Sequence, residues 1–251
     1  MASLLHANEC HATLAIDIMD RNLYERANDC RWWALTSVFS ELLSKAQHSD
    51  QDMQALGAIL RAINNLYTVY ANLIVFDRAG RIVAAANAGG CDPAGATLAG
   101  EWVTRILSLA DFQDYAVSPF EPTRLYGGGP TYIYGAAIRA PQRGPVVGGI
   151  AIVFDSGPQF AAMLNDALPR DGAGAVKPGA FGLFVEPNRL LRRPFRFPTT
   201  SSPSTRHSSA WRQGSVTPVS PSSTGPIMRS APRHHRATGS TRARATLTAT
   251  T

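Results

Sequence analysis

The chain changes character at residue 189, and that break limits where a core can form. Residues 189–251 hold 11 Arg, 11 Ser, 11 Thr and 7 Pro, with no Lys, Asp or Glu. Such a stretch buries too little apolar surface to offset the entropy of ordering it, so a disordered tail is expected. Residues 1–188 carry 13 basic and 18 acidic residues, a net −5, against +11 for the tail. The overall charge of +6 and the pI near 9.6 therefore describe the tail and not the body. The body is long enough for a sizeable core.

Several classes are excluded early. The composition fits neither a collagen-like chain nor a disulfide-scaffold miniprotein nor a polytopic membrane protein. Three cysteines, Cys10, Cys30 and Cys91, show no metal-type spacing. An odd, sparse count suits a reducing compartment, so a cytoplasmic location is expected. The first twenty residues lack a basic n-region, and His6, Glu9, His11 and Asp17 interrupt any apolar run. No signal peptide is read there. The longest apolar runs, 73–76 and 146–154, fall far short of the roughly 20 residues of a membrane span.

Periodicity predicts a long helix over residues 13–46, with Leu23, Ala27, Cys30 and Ala34 on one stripe. A second helix is expected over 50–66, with Ser49 as N-cap, Asp52 three residues on, and Met53, Leu56, Ile59, Leu60 and Ile63 on its apolar face. The pattern then turns to strands. Residues 67–76 are β-branched and aromatic, 77–80 form a turn, and 81–86 return as a hairpin. A Gly-rich loop at 87–96 leads to a short helix at 98–109, with Trp102, Val103 and Ile106 inward. Strands follow at 114–118, 131–139 and 146–155, then a helix opened by Ser156, Gly157, Pro158 and Gln159. Its buried face is Phe160, Met163, Leu164, Ala167 and Leu168. One more strand begins at Phe181, and the sequence offers it no hairpin partner. Only Lys45 and Lys177 occur against many Arg, as in a GC-rich gene. The tail is therefore expected to be a frameshifted end, and the body a truncated one. The sequence divides as 1–66 helical, 67–188 sheet domain and 189–251 tail.

This order of elements resembles that of a Cache domain, the extended relative of the PAS fold. Residues 73–83 (LIVFDRAGRIV) resemble its hairpin, and 130–155 (PTYIYGAAIRAPQRGPVVGGIAIVFD) its central antiparallel pair. Residues 22–33 (NLYERANDCRWW) resemble a helix of soluble chemotaxis-type proteins. The resemblance covers about residues 20–188 and implies an α+β fold, with long N-terminal helices and a PAS-like antiparallel sheet. It further implies a small-molecule sensor in signal transduction, with an output module that is not readable in this chain.

Such sheets enclose ligands with aromatic side chains and orient them with a few polar groups. The candidates are Tyr132 and Tyr134, two apart and so on one face, Arg124 and Tyr126 in the preceding loop, and Asp155 at a strand end. An Arg with an Asp can clamp the carboxylate and ammonium of an amino acid, and an organic acid is a second option. Each has a plainer reading: sheet packing for the tyrosines, a solvated charge for Arg124, and a helix N-terminal residue for Asp155. Trp32 and Trp33 are read as helix packing, with a homodimer seam along the N-terminal helix as the rival. Gly127–Gly129 lack the spacing of a phosphate loop. The scattered histidines form no metal pattern, and no nucleophile has an identifiable base. No cofactor or enzymatic activity is expected. Chemotaxis components are the expected partners besides the ligand. The alternative is polyanion or nucleic-acid binding through the Arg-rich tail, which would be steeply salt-dependent.

Overall fold

Helix α3 (Asp50–Leu66) begins at the residue the sequence names. Ser49 Oγ accepts from Asp52 N at 3.1 Å, and Asp52 Oδ2 accepts from Ser49 N at 3.1 Å, a complete capping box. Leu56 and Leu60 are buried on its inner face. The computed structural model describes residues 2–87, 95–185 and 244–249. They fall into two compact units, one of residues 20–159 and one of residues 2–19, 160–185 and 244–249.

In the first unit an antiparallel sheet runs β2–β1–β7–β6–β3. The strands are β1 (Tyr70–Asp77), β2 (Ile82–Ala85), β3 (Ala116–Val117), β6 (Ile133–Arg139) and β7 (Val146–Phe154). A second ribbon pairs β4 (Glu121–Pro122) with β5 (Pro130–Thr131). The β1–β2 turn forms because Asp77 Oδ1 accepts from Ala79 N and Arg81 N, at 2.8 and 2.9 Å. Gly80 closes it at φ 77°, where a side chain would be strained. Leu73 pairs with Ile152 and Val75 with Ile150 across the centre. β1 and β7 are thus near-continuous apolar runs, buried on both faces.

Helices cover the two faces. On one, α4 (Glu101–Leu107) places Trp102, Val103 and Ile106 in a core with Ile74, Phe76, Ile133, Ala151 and Val153. The sheet holds α4 at two points. Arg105 donates to Val117 O at 3.2 Å, and Arg139 donates to Leu109 O and Ala110 O at 2.6 and 2.7 Å. On the other face, α2 (Ser37–Leu43) brings Leu43 against the backbone side of Gly148.

The single helix expected over 13–46 is two. Helix α1 (Ala2–Ala34) ends, and α2 starts after Thr36, with neither Gly nor Pro at the break. Tertiary contacts impose it. Arg31 donates to Gln113 O at 2.9 Å, and the Trp33 ring stands edge-on to Tyr67 and Tyr70 at 5.3 and 5.4 Å. The chain must then turn to bury Phe39 and Leu43. Ala27, Cys30 and Ala34 lie inward as the stripe predicts, whereas Trp32 is 72% exposed.

In helix α5 (Ser156–Ala167) Phe160, Met163, Leu164 and Ala167 are buried as expected, and Leu168 is buried just past its end. The second unit packs Ala15, Ile16, Ala167 and Phe184 together, with Phe160 edge-on to Phe184 at 5.5 Å. Strand β8 (Ala180–Val185) has a partner after all. It pairs antiparallel with β9 (Arg244–Ala249), from within the tail read as disordered. Residues 186–243 and the Gly-rich segment 88–94, Cys91 included, lie outside the described residues.

A candidate ligand-binding site

A cavity of about 760 Å³ opens on the α4 face of the sheet. Asn72, Ile82, Thr131 and Ile133 reach it from strands, Trp102 from α4, and Thr97 and Leu98 from the segment before α4. Glu121, Thr123, Arg124 and Leu125 form its rim. Residues 123–129 fold tightly there. Thr123 O accepts from Tyr126 N and Gly128 N at 3.1 and 2.9 Å, around the 3-10 turn Arg124–Tyr126. Gly127 and Gly128 supply the left-handed backbone that returns the chain to β5, at φ 60° and 82°.

Most polar groups at the cavity already have partners. Asn72 Oδ1 accepts from Leu73 N and Asn87 N, and its amide donates to Asn87 O. Ser118 Oγ accepts from Ile133 N at 2.8 Å and donates to Pro119 O at 3.0 Å. Thr131 donates to Phe154 O at 2.5 Å. Arg124 differs, because its exposed guanidinium has no hydrogen bond or ion pair among the described residues. A planar cation with five donors on a mainly apolar cavity is suited to a carboxylate or similar oxyanion.

The five sequence candidates divide. Arg124 lines the cavity. Tyr126 is beside it with its hydroxyl directed elsewhere, donating to Asp155 Oδ1 at 2.5 Å and accepting from Gly157 N at 3.2 Å. Burial, and then the bond to Asp155, raise that phenol above its ordinary range, so it keeps its proton at neutral pH. Asp155 is engaged as the residue before α5, its carbonyl accepting from Gln159 N at 3.3 Å. Its side chain meets Tyr126, and Asp155 is not among the residues that line the cavity. Ser156, expected to open the helix, is its first residue and donates to Pro130 O at 3.0 Å.

Tyr132 and Tyr134 do share a face, but not the one at the cavity. Thr131 and Ile133 border it, and alternation sends the tyrosines to the opposite side. There Tyr132 packs on Phe120 at 5.0 Å and on Tyr134 at 6.4 Å. Burial pushes the Tyr134 phenol well above its ordinary range, with Tyr132 and Tyr115 adding to the shift. Both rings are buried in packing on that side. Trp102, Thr97, Glu121, Ser118 and Thr131 went unrecognised. Only Trp102 had a sequence signal, as an inward aromatic on a helix that follows a Gly-rich loop.

Solved structures share this architecture. The sensor domain of the V. cholerae histidine kinase DctB matches at 14% identity and TM-score 0.58, over 74% of this chain and 64% of that one. The fold is that of a Cache-type sensor domain. The ligand-binding domain of the Campylobacter jejuni chemoreceptor Tlp3, in complex with L-valine, matches at 11% identity and TM-score 0.50, over 73% and 67%. An extracellular ligand binding receptor from Desulfohalobium retbaense matches at 13% identity and TM-score 0.50, over 71% and 29%. The chain thus spans less than two thirds of the DctB domain and less than one third of the receptor. No family model and no curated protein matches the sequence. Among the described residues of this Cache-type fold, no helix is long and apolar enough to cross a membrane. No cluster of His, Cys, Asp and Glu there could hold a metal ion.

Proposed function

We propose that this chain is a non-enzymatic sensor whose cavity binds a small carboxylate, an amino acid or an organic acid. The observation that carries the reading is Arg124, a cation without a partner among the described residues, on the rim of a cavity floored by Ile82, Trp102 and Ile133. Because the C. jejuni domain is solved with L-valine, neutral α-amino acids head the panel of test compounds, followed by short organic acids.

The response is a population shift set by the ligand's differential affinity for two states. It passes through α1 to a second copy and onward to chemotaxis-type signalling components. Support for the second copy is the exposure of Trp32 (72%) and Leu35 (55%) at the end of α1.

Calorimetric titration of the full chain with that panel tests the ligand. One acid should bind, and Arg124→Ala should weaken it about tenfold to a hundredfold, as loss of a charge-assisted hydrogen bond implies. Binding by none of the compounds, or binding indifferent to Arg124→Ala, overturns the proposal. Light scattering before and after Trp32→Ser tests the second copy.

A further inference from the structure

The turn at the cavity rim reaches the start of α5 through the Tyr126 side chain. Arg124 and Tyr126 sit on one 3-10 turn, two residues apart. At three residues per turn their side chains point in different directions. Arg124 is directed to the cavity. Tyr126 reaches 29 residues along the chain to Asp155 and bonds Gly157 N as well. Its ring is seated from both sides. It packs against the α4-face core, and a Cβ on Gly129 would lie 3.1 Å from its Cδ1. The turn therefore cannot shift without carrying the ring along.

At the other end, Gly157 N–H is one of the first-turn donors that a helix leaves without an intrahelical partner. Tyr126 satisfies it. The same hydroxyl holds the Asp155 carboxylate, while the Asp155 backbone fixes the helix start through bonds to Val69 O and from Gln159 N. A displacement of the turn would strand a donor and a carboxylate together.

We propose that Tyr126 is a coupling pin: occupation of the cavity at Arg124 is transmitted through its hydroxyl to the first turn of α5. This rests on the reading of the cavity as the ligand site, and deepens it by naming a contact through which occupation is felt at α5. The coupling is reciprocal, so whatever rearranges the α5 start alters affinity at Arg124 by the same factor.

The test places an anion in the cavity without knowledge of the natural ligand. In full-length protein carrying Cys10→Ser and Cys91→Ser, Thr97→Cys is labelled with a sulfonate-bearing methanethiosulfonate. Cys30 is buried and its thiol is held above the ordinary range, so it stays unreacted. With glycine ¹⁵N-labelled, the Gly157 amide is followed by its resonance and its hydrogen-exchange rate. Labelling should shift the resonance and change the exchange rate severalfold. Both effects should vanish in Arg124→Ala, in Tyr126→Phe and in the isosteric Asp155→Asn, which serves if the phenylalanine variant does not fold.

An unmoved Gly157 in the Tyr126 protein, or an equal response in Tyr126→Phe, overturns the coupling. A tyrosine that merely props the fold would lower stability in Tyr126→Phe and leave the sulfonate response intact. The two readings fail separately. If no acid binds the native chain but the sulfonate moves Gly157, the coupling stands and the ligand class falls. If an acid binds and Gly157 is unmoved, the reverse holds.

Discussion

Two glycines in the sheet set how closely the helices approach it. A Cβ on Gly148 would lie 2.2 Å from the Phe76 carbonyl oxygen, and one on Gly135 would lie 2.1 Å from Ile106 Cδ1. The neighbours differ in what they can yield. A strand carbonyl held in a ladder cannot move without its pairs, whereas Cδ1 is the end of a rotatable side chain. Overpacking of this kind costs about 1–3 kcal/mol. Gly148→Ala should fall at or beyond the top of that range and Gly135→Ala lower in it. Urea unfolding of the two variants checks the order, and equal losses would refute the distinction. At this scale the sequence was partly informative. Alternation placed Tyr132 and Tyr134 together, but nothing local distinguishes a strand face beneath helices from one bordering a cavity. The same holds for Asp155. Its type suited either a ligand clamp or a helix start, and its bond from Tyr126 is a contact across the fold.

Elements whose ends are fixed by local bonds are the ones read most closely. Helix α3 runs over the span expected, because Ser49 and Asp52 cap each other within four residues. Ser49→Ala should cost about 1 kcal/mol of stability, the usual loss of a serine N-cap, measurable by thermal unfolding. The cap also predicts a pH dependence. The hydrogen bond from Lys45 Nζ at 2.7 Å, and then the Ser49 N–H, lower the Asp52 carboxyl from 3.8 to about 2. A carboxylate depressed on folding stabilises fully above its unfolded value. That stabilisation should fade as pH falls from about 4 to about 2. Lys45→Met should flatten the stability–pH curve in this window, and an unchanged slope would contradict the assignment. Helix α1 shows the converse. Its end carries no Gly or Pro. Contacts with Gln113, Tyr67 and Tyr70 end it, and no periodicity argument contains them.

For the whole molecule, the pairing of β8 with β9 is the feature that sequence reasoning missed. Six register pairs join Ala180–Val185 to Arg244–Ala249, across a separation of 58 intervening residues. Composition averaged over the tail hides a six-residue strand within it. An open strand edge invites pairing with other chains. Deleting residues 244–251 should therefore promote self-association, seen by size-exclusion chromatography with light scattering. A deletion variant with the oligomeric state of the full chain would argue against that role for β9. By itself the sequence determined the acidic body and basic tail, the order of the five sheet strands and of α3, α4 and α5, the β1–β2 turn and the α3 cap. Each of these depends on composition or on bonds spanning a few residues. The tertiary structure decided the break after α1, the face on which the cavity opens, the seating of Tyr126 against Asp155, and the partner of β8. Those are choices among distant surfaces, settled by which packing buries the apolar faces while pairing the polar groups left between them.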